Sequence, residues 1–304
     1  MLPLTFISAF VLVDGLIGFI LNTVILAINL RDWTKGARLQ PFHYIHIVMA
    51  LVNILLQCAV VLGFFMGRTP LLDDQYKFNA VFISMSFLFF LCFWLNACLC
   101  AYYLTSIASF NHHFFAWLKT HFSAIIPKFI LVAAVGSFIV SFSGIWKVSL
   151  EKTTGTYDNL TMNSVAMDLF YFVVLLMGAV LPLIFTLLPI GLTLASIWRH
   201  MKRIQKNEHA KRMKKNDFFT PQMEAHITAT RTIVLLVVLY AFFYMSCASI
   251  VLKSFNMEEI LVFWIYVFNY PMAQSIVITL GNSKLKKAAK RIQNHLEKWW
   301  KDEL

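Results

Sequence analysis

Two carboxylates lie inside long apolar stretches of the chain, where an ionisable group is costly. They are Asp14 and Asp168. Charges at such positions mark ion or proton pathways, or they bind neighbouring helices together through hydrogen bonds. Asp14 is followed two helical turns later by Asn22, and we expect Asp14 to secure helix packing. Asp168 lies near the end of its apolar stretch, where its side chain can reach water.

Other reactive groups lack the partners that their chemistry requires. His43 and His46 stand one helical turn apart, but no further ligands converge on them, so no metal site is predicted. The sequence contains no phosphate-binding glycine loop, no Ser-His-Asp arrangement, and no Lys in its last apolar stretch for a retinal Schiff base. The chain is therefore predicted not to be an enzyme and to need no cofactor. The cysteines all fall in apolar stretches, which leaves none for an extracellular disulfide: Cys58, Cys92, Cys98, Cys100 and Cys247.

The composition of the chain indicates a membrane protein. Of its 304 residues, 59% are hydrophobic and 13% are charged, whereas about a quarter are charged in an ordinary soluble domain. A helix needs about 20 mostly apolar residues to cross a bilayer. Seven stretches meet this requirement: 4–30, 42–66, 78–107, 125–146, 165–198, 231–252 and 259–281. We therefore predict an all-α membrane protein, with a seven-transmembrane helix bundle over residues 1–282.

Lys and Arg are distributed unevenly between the predicted loops. With the N-terminus outside, the cytosolic segments hold 21 of them and the outer loops hold 5. Cytosolic loops of membrane proteins carry an excess of Lys and Arg. The pattern predicts a multi-pass protein of the plasma membrane with an extracellular N-terminus and a cytosolic C-terminus. The net charge of +11 is confined to these short segments, which argues against binding to nucleic acid.

The tail, residues 283–304, alternates apolar residues and lysines at helical spacing and contains Trp299 and Trp300. This pattern predicts a basic amphipathic helix in contact with the lipids of the inner leaflet. Asn159 begins a glycosylation sequon in the predicted second outer loop, so we expect it to carry a glycan. The last four residues, 301–304, match an endoplasmic-reticulum retrieval signal, but that signal is read in the lumen. We attribute the match to chance.

Short motifs run along the chain from the first helix to the tail. The most specific are Trp94-Leu95-Asn96-Ala97-Cys98-Leu99, Tyr102-Tyr103, Ile107-Ala108-Ser109-Phe110, Phe114-Phe115-Ala116-Trp117-Leu118-Lys119, and Leu280-Gly281-Asn282-Ser283-Lys284-Leu285-Lys286. Others are Asp14, Gly18, Asn22 and Asn29 before Asp32-Trp33-Thr34-Lys35, then Leu181-Pro182-Leu183, Ser196-Ile197-Trp198-Arg199-His200-Met201, Thr220, Ala225-His226, Leu239-Tyr240, Tyr270-Pro271 and Ser275. Together they resemble the vertebrate type 2 taste receptors, the bitter receptors. The resemblance implies a G-protein-coupled receptor that detects small amphipathic molecules from outside, with gustducin or another inhibitory-class G protein as partner.

The resemblance also implies roles for particular residues. Those expected to contact the ligand are Met85, Phe89, Phe243 and Trp264. Those expected to face the G protein are Tyr103, Ser106, His200, Arg203, His226 and Arg231. Those expected to form a structural switch are Asp14, Asn22, Asn53, Pro182, Tyr240, Pro271 and Gln274.

Three positions depart from the family pattern. Asn53 stands where the family usually has Arg, Ser106 where it usually has Lys, and Gln274 where it usually has His. The chain therefore resembles a divergent member. Its pocket is expected to be more apolar, because Phe89 stands where the family often has Asn and Trp264 where some members have an acidic residue. Two alternatives remain open, namely a type 1 vomeronasal pheromone receptor and a seven-helix transporter or channel.

Overall fold

The computed structural model describes residues 2–34, 41–66, 75–107, 113–153, 174, 176–210, 230–232, 234–243 and 257–302. Within these ranges the chain is almost entirely helical and contains no strand. The predicted fold class, an all-α membrane protein, is confirmed. Two predicted functional residues, Asn159 and His226, lie outside the described residues.

Within the described residues, seven helices follow one another, and an eighth continues directly from the seventh. They are α1 (Leu2–Thr34), α2 (Pro41–Met66), α3 (Gln75–Ile107), α4 (His113–Thr153), α5 (Leu181–Ala210), α6 (Thr230–Phe243), α7 (Met257–Gly281) and α8 (Ser283–Asp302). In the part of the chain that is described, five helical stretches are long and apolar enough to cross a membrane, and α6 is apolar but shorter. The limits of the seven spans, and the division of the chain at residue 282, stay predictions.

Helix α3 lies at the centre of the bundle, in contact with α2, α4 and α5. Helix α1 packs against α2 and α7, and α2 also contacts α7. Residues 95–100 of α3 are all buried. Lipid tails are as apolar as the side chains of a membrane helix, so burial alone gives helices little reason to associate in a bilayer. Close packing and buried polar contacts must hold this bundle together.

A π-helical turn, Leu176–Val180, precedes α5. Its Gly178 packs so closely on the ring of Phe90 in α3 that a side chain at residue 178 would collide with the ring. The buried Pro182 follows, and its carbonyl oxygen accepts a hydrogen bond from the hydroxyl of Thr186 at 2.7 Å. Turns of this kind often occur beside functional sites, and this one fixes the start of α5 against α3.

Candidate functional site

Five uncharged polar side chains from four helices form a continuous hydrogen-bonded chain inside the bundle. We call this chain the amide network, and its members are Asn22 of α1, Asn53 of α2, Asn96 of α3, and Tyr270 and Gln274 of α7. Asn53 donates through Nδ2 to Asn22 Oδ1 at 3.3 Å and to Gln274 Oε1 at 2.8 Å. Gln274 Nε2 donates to Asn96 Oδ1 at 2.7 Å, and Asn96 Nδ2 donates to the Tyr270 hydroxyl at 2.6 Å. None of the five is more than 3% exposed.

The amide network fixes the relative positions of α1, α2, α3 and α7. An amide carries both donors and an acceptor, so one side chain can join two neighbours. Asn53 is the branching member, and its Oδ1 also accepts a weak hydrogen bond from Cys92 Sγ at 3.4 Å. Removal of one member leaves its partners buried and unsatisfied, which costs about 1–3 kcal/mol.

Two positions that the resemblance marks as departures from the family pattern meet in this network. Asn53 and Gln274 both replace residue types that the resemblance leads one to expect, and they are hydrogen-bonded to each other. An amide pair on α2 and α7 thus provides a neutral contact between the two helices. A change at only one of the two positions would leave the other side chain without this partner.

Aromatic rings from three helices pack next to the amide network. We call them the aromatic cluster, and its members are Phe89 and Phe93 of α3, Tyr240 and Phe243 of α6, and Tyr270 of α7. Phe89 stacks on Phe243 with ring centroids 5.1 Å apart, and Phe243 lies 4.8 Å from Tyr270. Phe93 lies 5.0 Å from Tyr240 and 5.4 Å from Phe243. Such aromatic pairs contribute about 0.5–1.5 kcal/mol each beyond their buried area.

The structure brings together two of the four residues predicted to contact a ligand, namely Phe89 and Phe243. Met85 is buried on α3, and its sulfur faces Gly63 of α2, where an added Cβ would lie 3.1 Å from Sδ. Trp264 belongs to α7, but its side chain lies outside the described part of the chain. The roles of these four residues stay predictions.

The remaining predicted switch residues are not members of the amide network. Tyr240 is 2% exposed and belongs to the aromatic cluster. Pro271 is buried in α7, and its carbonyl oxygen accepts a hydrogen bond from the Ser275 hydroxyl at 2.6 Å. Pro182 lies apart, at the start of α5.

Asp14 pairs with Gln57 of α2, and both side chains are buried. Gln57 Nε2 donates to Asp14 Oδ2 at 3.1 Å, whereas Asp14 Oδ1 and Gln57 Oε1 have no hydrogen-bond partner. Gly18 of α1 makes room for this amide, because a Cβ there would lie only 3.0 Å from Gln57 Oε1. The pair is a contact between α1 and α2 of the packing type expected for Asp14.

The junction of α7 and α8 explains three residues of the Leu-Gly-Asn-Ser-Lys-Leu-Lys motif. Gly281 touches Thr232 of α6 so closely that a side chain at residue 281 would collide with it. Asn282 caps α8, since its Oδ1 accepts hydrogen bonds from the backbone N–H groups of Lys284 at 3.0 Å and Leu285 at 3.4 Å. Leu285 is 2% exposed and anchors the first turn of α8 in the bundle.

The residues predicted to face a G protein differ in exposure. Ser106 and Arg231 are exposed, and Arg231 directly precedes Thr232. Tyr103 is only 9% exposed, because its ring packs against Phe42 and Tyr102. The side chains of His200 and Arg203 lie outside the described part of α5.

Sequence reasoning gave no specific role to Asn96, Tyr270, Gln57 or Phe93. For Asn96 and Gln57 a signal was available, since each is an amide inside a long run without charged residues. The hydroxyl of Tyr270 and the ring of Phe93 carry no such signal in so aromatic a sequence. In the described part of the chain no group of three or more His, Cys, Asp or Glu residues could hold a metal ion. The cysteines among the described residues form no disulfide: Cys58, Cys92, Cys98 and Cys100.

Comparison with known proteins identifies the family. The sequence model of the taste receptor proteins (TAS2R) matches residues 1–297, almost the whole chain. The chain belongs to the taste receptor family. Human taste receptor type 2 member 9 is 28% identical over 294 residues, which cover 88% of this chain and 86% of the relative. The rhesus macaque member 9 is 29% identical over 288 residues, with the same coverage.

A second human relative, taste receptor type 2 member 39, is 28% identical over 319 residues, which cover 98% of this chain and 89% of the relative. These taste receptors confirm the resemblance at modest identity. They also confirm the predicted function, a G-protein-coupled chemosensory receptor of the bitter taste class for small molecules. Family membership and the apolar helices make the taste receptor a multi-pass membrane protein. Nothing favours the pheromone receptor, transporter or channel alternatives.

Proposed function

We propose that this taste receptor binds a bitter, mostly apolar organic molecule at the aromatic cluster and signals through gustducin or another inhibitory-class G protein. The observation that carries the proposal is the stacked contact between Phe89 of α3 and Phe243 of α6, beside Tyr270 of α7. Rings from three helices meet there. A molecule bound among them contacts elements that can move relative to one another.

The chemistry of the cluster indicates the class of ligand. Stacked and edge-on rings favour a ligand that itself presents a flat, apolar ring system. The amide network supplies a polar boundary, through the hydroxyl of Tyr270 and the amide of Asn96. Met85 and Trp264 would extend the apolar wall of the pocket. An amphipathic molecule with apolar rings and one or a few polar groups suits these surroundings.

Activation is proposed to be a population shift. A ligand changes the balance between two arrangements only if it binds one of them more tightly than the other. The arrangement described here has α6 in close contact with the end of α7, at Thr232 and Gly281. We take this arrangement as the resting one. Separation of the two helices there would open a surface for the G protein near Ser106 and Arg231, with His200, Arg203, His226 and Tyr103 as further contacts.

The switch is proposed to consist of the amide network, Tyr240 and Pro271, with Asp14 and Pro182 as fixed supports. Three predicted switch residues, Asn22, Asn53 and Gln274, are joined in one chain of hydrogen bonds across α1, α2 and α7. A chain of this kind has a limited number of fully satisfied arrangements, because every buried donor needs an acceptor. It therefore suits a change between two discrete states.

The test is a reporter assay in cells that express the receptor with a gustducin-type G protein, against a panel of bitter compounds. Phe89→Ala and Phe243→Ala are each expected to lower agonist potency about tenfold, since each removes a ring contact and buried area. Phe142→Ala is the matched control, because Phe142 is 50% exposed on α4 and stacks only on the exposed neighbour Phe138 among the ring contacts described. The control should respond as the wild type does.

Two outcomes would contradict the proposal. If both α3 and α6 variants kept every agonist response at equal surface expression, the pocket assignment would be wrong. If the wild type responded equally without the G protein, or carried a ligand-independent flux of ions or solutes, a transporter or channel would explain the chain better.

We further propose that the receptor resides in the plasma membrane with its N-terminus outside and its tail in the cytosol. The unequal distribution of Lys and Arg supports this orientation. Helix α8 supports it as well, because its lysines and the exposed Trp299 and Trp300 suit an anionic inner leaflet. An epitope placed before residue 1 should be labelled by antibody on intact cells. An epitope after residue 304 should be labelled only after permeabilisation, and the reverse pattern would refute the orientation.

A further inference from the structure

Tyr270 belongs to both the aromatic cluster and the amide network. Its ring lies 4.8 Å from Phe243 and 6.2 Å from Phe93. Its hydroxyl accepts the hydrogen bond from Asn96 Nδ2 at 2.6 Å. The side chain is 1% exposed, so neither its ring nor its hydroxyl can move without displacing its neighbours.

We propose that Tyr270 is the positioning residue that connects ligand contact at the aromatic cluster to the amide network. The inference rests on the proposed ligand site and adds to it the route by which occupancy is communicated. A ligand that displaces Phe243 also displaces the Tyr270 ring packed against it. The hydroxyl then leaves Asn96, and the rest of the network must find new partners.

The direction of the effect follows from the arrangement that contains the bond. The Asn96–Tyr270 hydrogen bond is present together with the close contact of Thr232 and Gly281. If the other arrangement lacks this bond, as proposed, the bond stabilises the arrangement in which α6 and α7 are in contact at that end. Loss of the bond leaves a buried amide donor without its acceptor and favours whatever rearrangement satisfies it.

The hydroxyl and the ring of Tyr270 have separable tasks. A Phe at this position would complete the aromatic cluster equally well but could not accept a bond from Asn96. Tyr270→Phe therefore tests the connection and leaves the ring contacts in place. The worth of a buried neutral hydrogen bond corresponds to about a fivefold change in the balance between two states.

The experiment measures ligand-independent signalling per receptor at the cell surface. Tyr270→Phe is expected to raise it about fivefold and to lower the agonist concentration needed for half-maximal response. If Tyr270 had only a structural role, loss of its hydroxyl would not raise basal signalling. Tyr44→Phe is the control, because it removes the same single hydroxyl from another Tyr of the bundle, which lies on α2 and is partly buried. The control should match the wild type, and unchanged or lowered basal signalling in Tyr270→Phe would overturn the inference.

A double variant tests whether the two residues act through one bond. If they do, Tyr270→Phe should add little to the effect of Asn96→Ala, because the bond is already absent. Fully additive effects of the two substitutions would show that Tyr270 acts independently of Asn96.

A measurement without ligand separates this inference from the proposed function. Hydrogen–deuterium exchange of the purified receptor should rise at residues 230–243 in Tyr270→Phe and stay unchanged in Tyr44→Phe. If the wild type responded to no agonist, the proposed ligand site would be contradicted. The exchange result would still decide the role of Tyr270. Equal exchange in both variants and the wild type would refute it.

Discussion

Gly281 offers a sharp test of the packing at the end of the bundle. Its backbone conformation is one that Ala can adopt, but an added Cβ would meet the side chain of Thr232 at a distance that real atoms do not show. Gly281→Ala must therefore push α6 and α7 apart or displace Thr232. Overpacking of this kind costs about 1–3 kcal/mol.

The chain contains a matched control for this substitution. Gly136 of α4 and Gly191 of α5 also lie within helices, and a Cβ at either meets nothing within 4 Å. Ala is a better helix former than Gly by about 0.5–1 kcal/mol in water. Gly136→Ala and Gly191→Ala should therefore leave stability unchanged or raise it slightly. The same chemical change is thus predicted to have opposite signs at different positions.

The measurement is the thermal unfolding midpoint of the detergent-purified receptor. Gly281→Ala should lower the midpoint, and addition of Thr232→Ala should restore part of the loss, because it removes the Oγ1 and Cγ2 atoms that the new Cβ meets. If Gly281→Ala were as stable as Gly136→Ala, or if Thr232→Ala gave no rescue, the close contact between α6 and α7 would not exist as described.

Three further outcomes are expected elsewhere in the chain. Asp14→Leu should lower the free energy of unfolding by about 1–3 kcal/mol, because it leaves Gln57 Nε2 without its acceptor. Asp14→Asn should not, because its amide can accept from Gln57 Nε2 and also donate to Gln57 Oε1. The unfolding midpoints of the two variants should therefore differ. Replacement of both Trp299 and Trp300 by Ala should weaken the contact of α8 with the bilayer by on the order of 2–4 kcal/mol, seen as greater aqueous accessibility of a spin label in α8. Asn159→Gln should abolish the mobility shift that a glycosidase produces on a gel.

The fold could be predicted from the sequence because bilayer dimensions impose a simple rule. The hydrocarbon layer holds no water to hydrogen-bond the backbone N–H and C=O groups, so a long charge-free run that spans it must form a helix. Helix ends are less predictable: the sequence predicts a span from residue 125, but the helix that contains it begins at His113. A helix can continue beyond the hydrocarbon layer, so hydropathy does not predict the residue at which its backbone hydrogen bonds end.

Pairwise contacts could be predicted only in part. Asn22, Asn53 and Gln274 were expected to act together on the strength of a family resemblance, and the structure joins them directly. The inclusion of Asn96 and Tyr270 depends on how α3 and α7 are rotated about their axes. In a bilayer the outer face of a helix is as apolar as its inner face, so periodicity reveals little about that rotation. The resemblance singles out Phe89 and Phe243 as ligand contacts but does not predict that their rings stack. Phe93 could not be distinguished from the many other Phe residues of the sequence.

The neutrality of the amide network has a consequence for a cell whose membrane potential changes. Moving one elementary charge across the membrane involves about 2.3 kcal/mol per 100 mV. Asn22, Asn53, Asn96, Tyr270 and Gln274 carry no charge, so the rearrangement proposed for them would transfer no net charge across the electric field. A switch built from these five side chains would therefore carry no net gating charge, and its response to ligand would depend on chemical contacts.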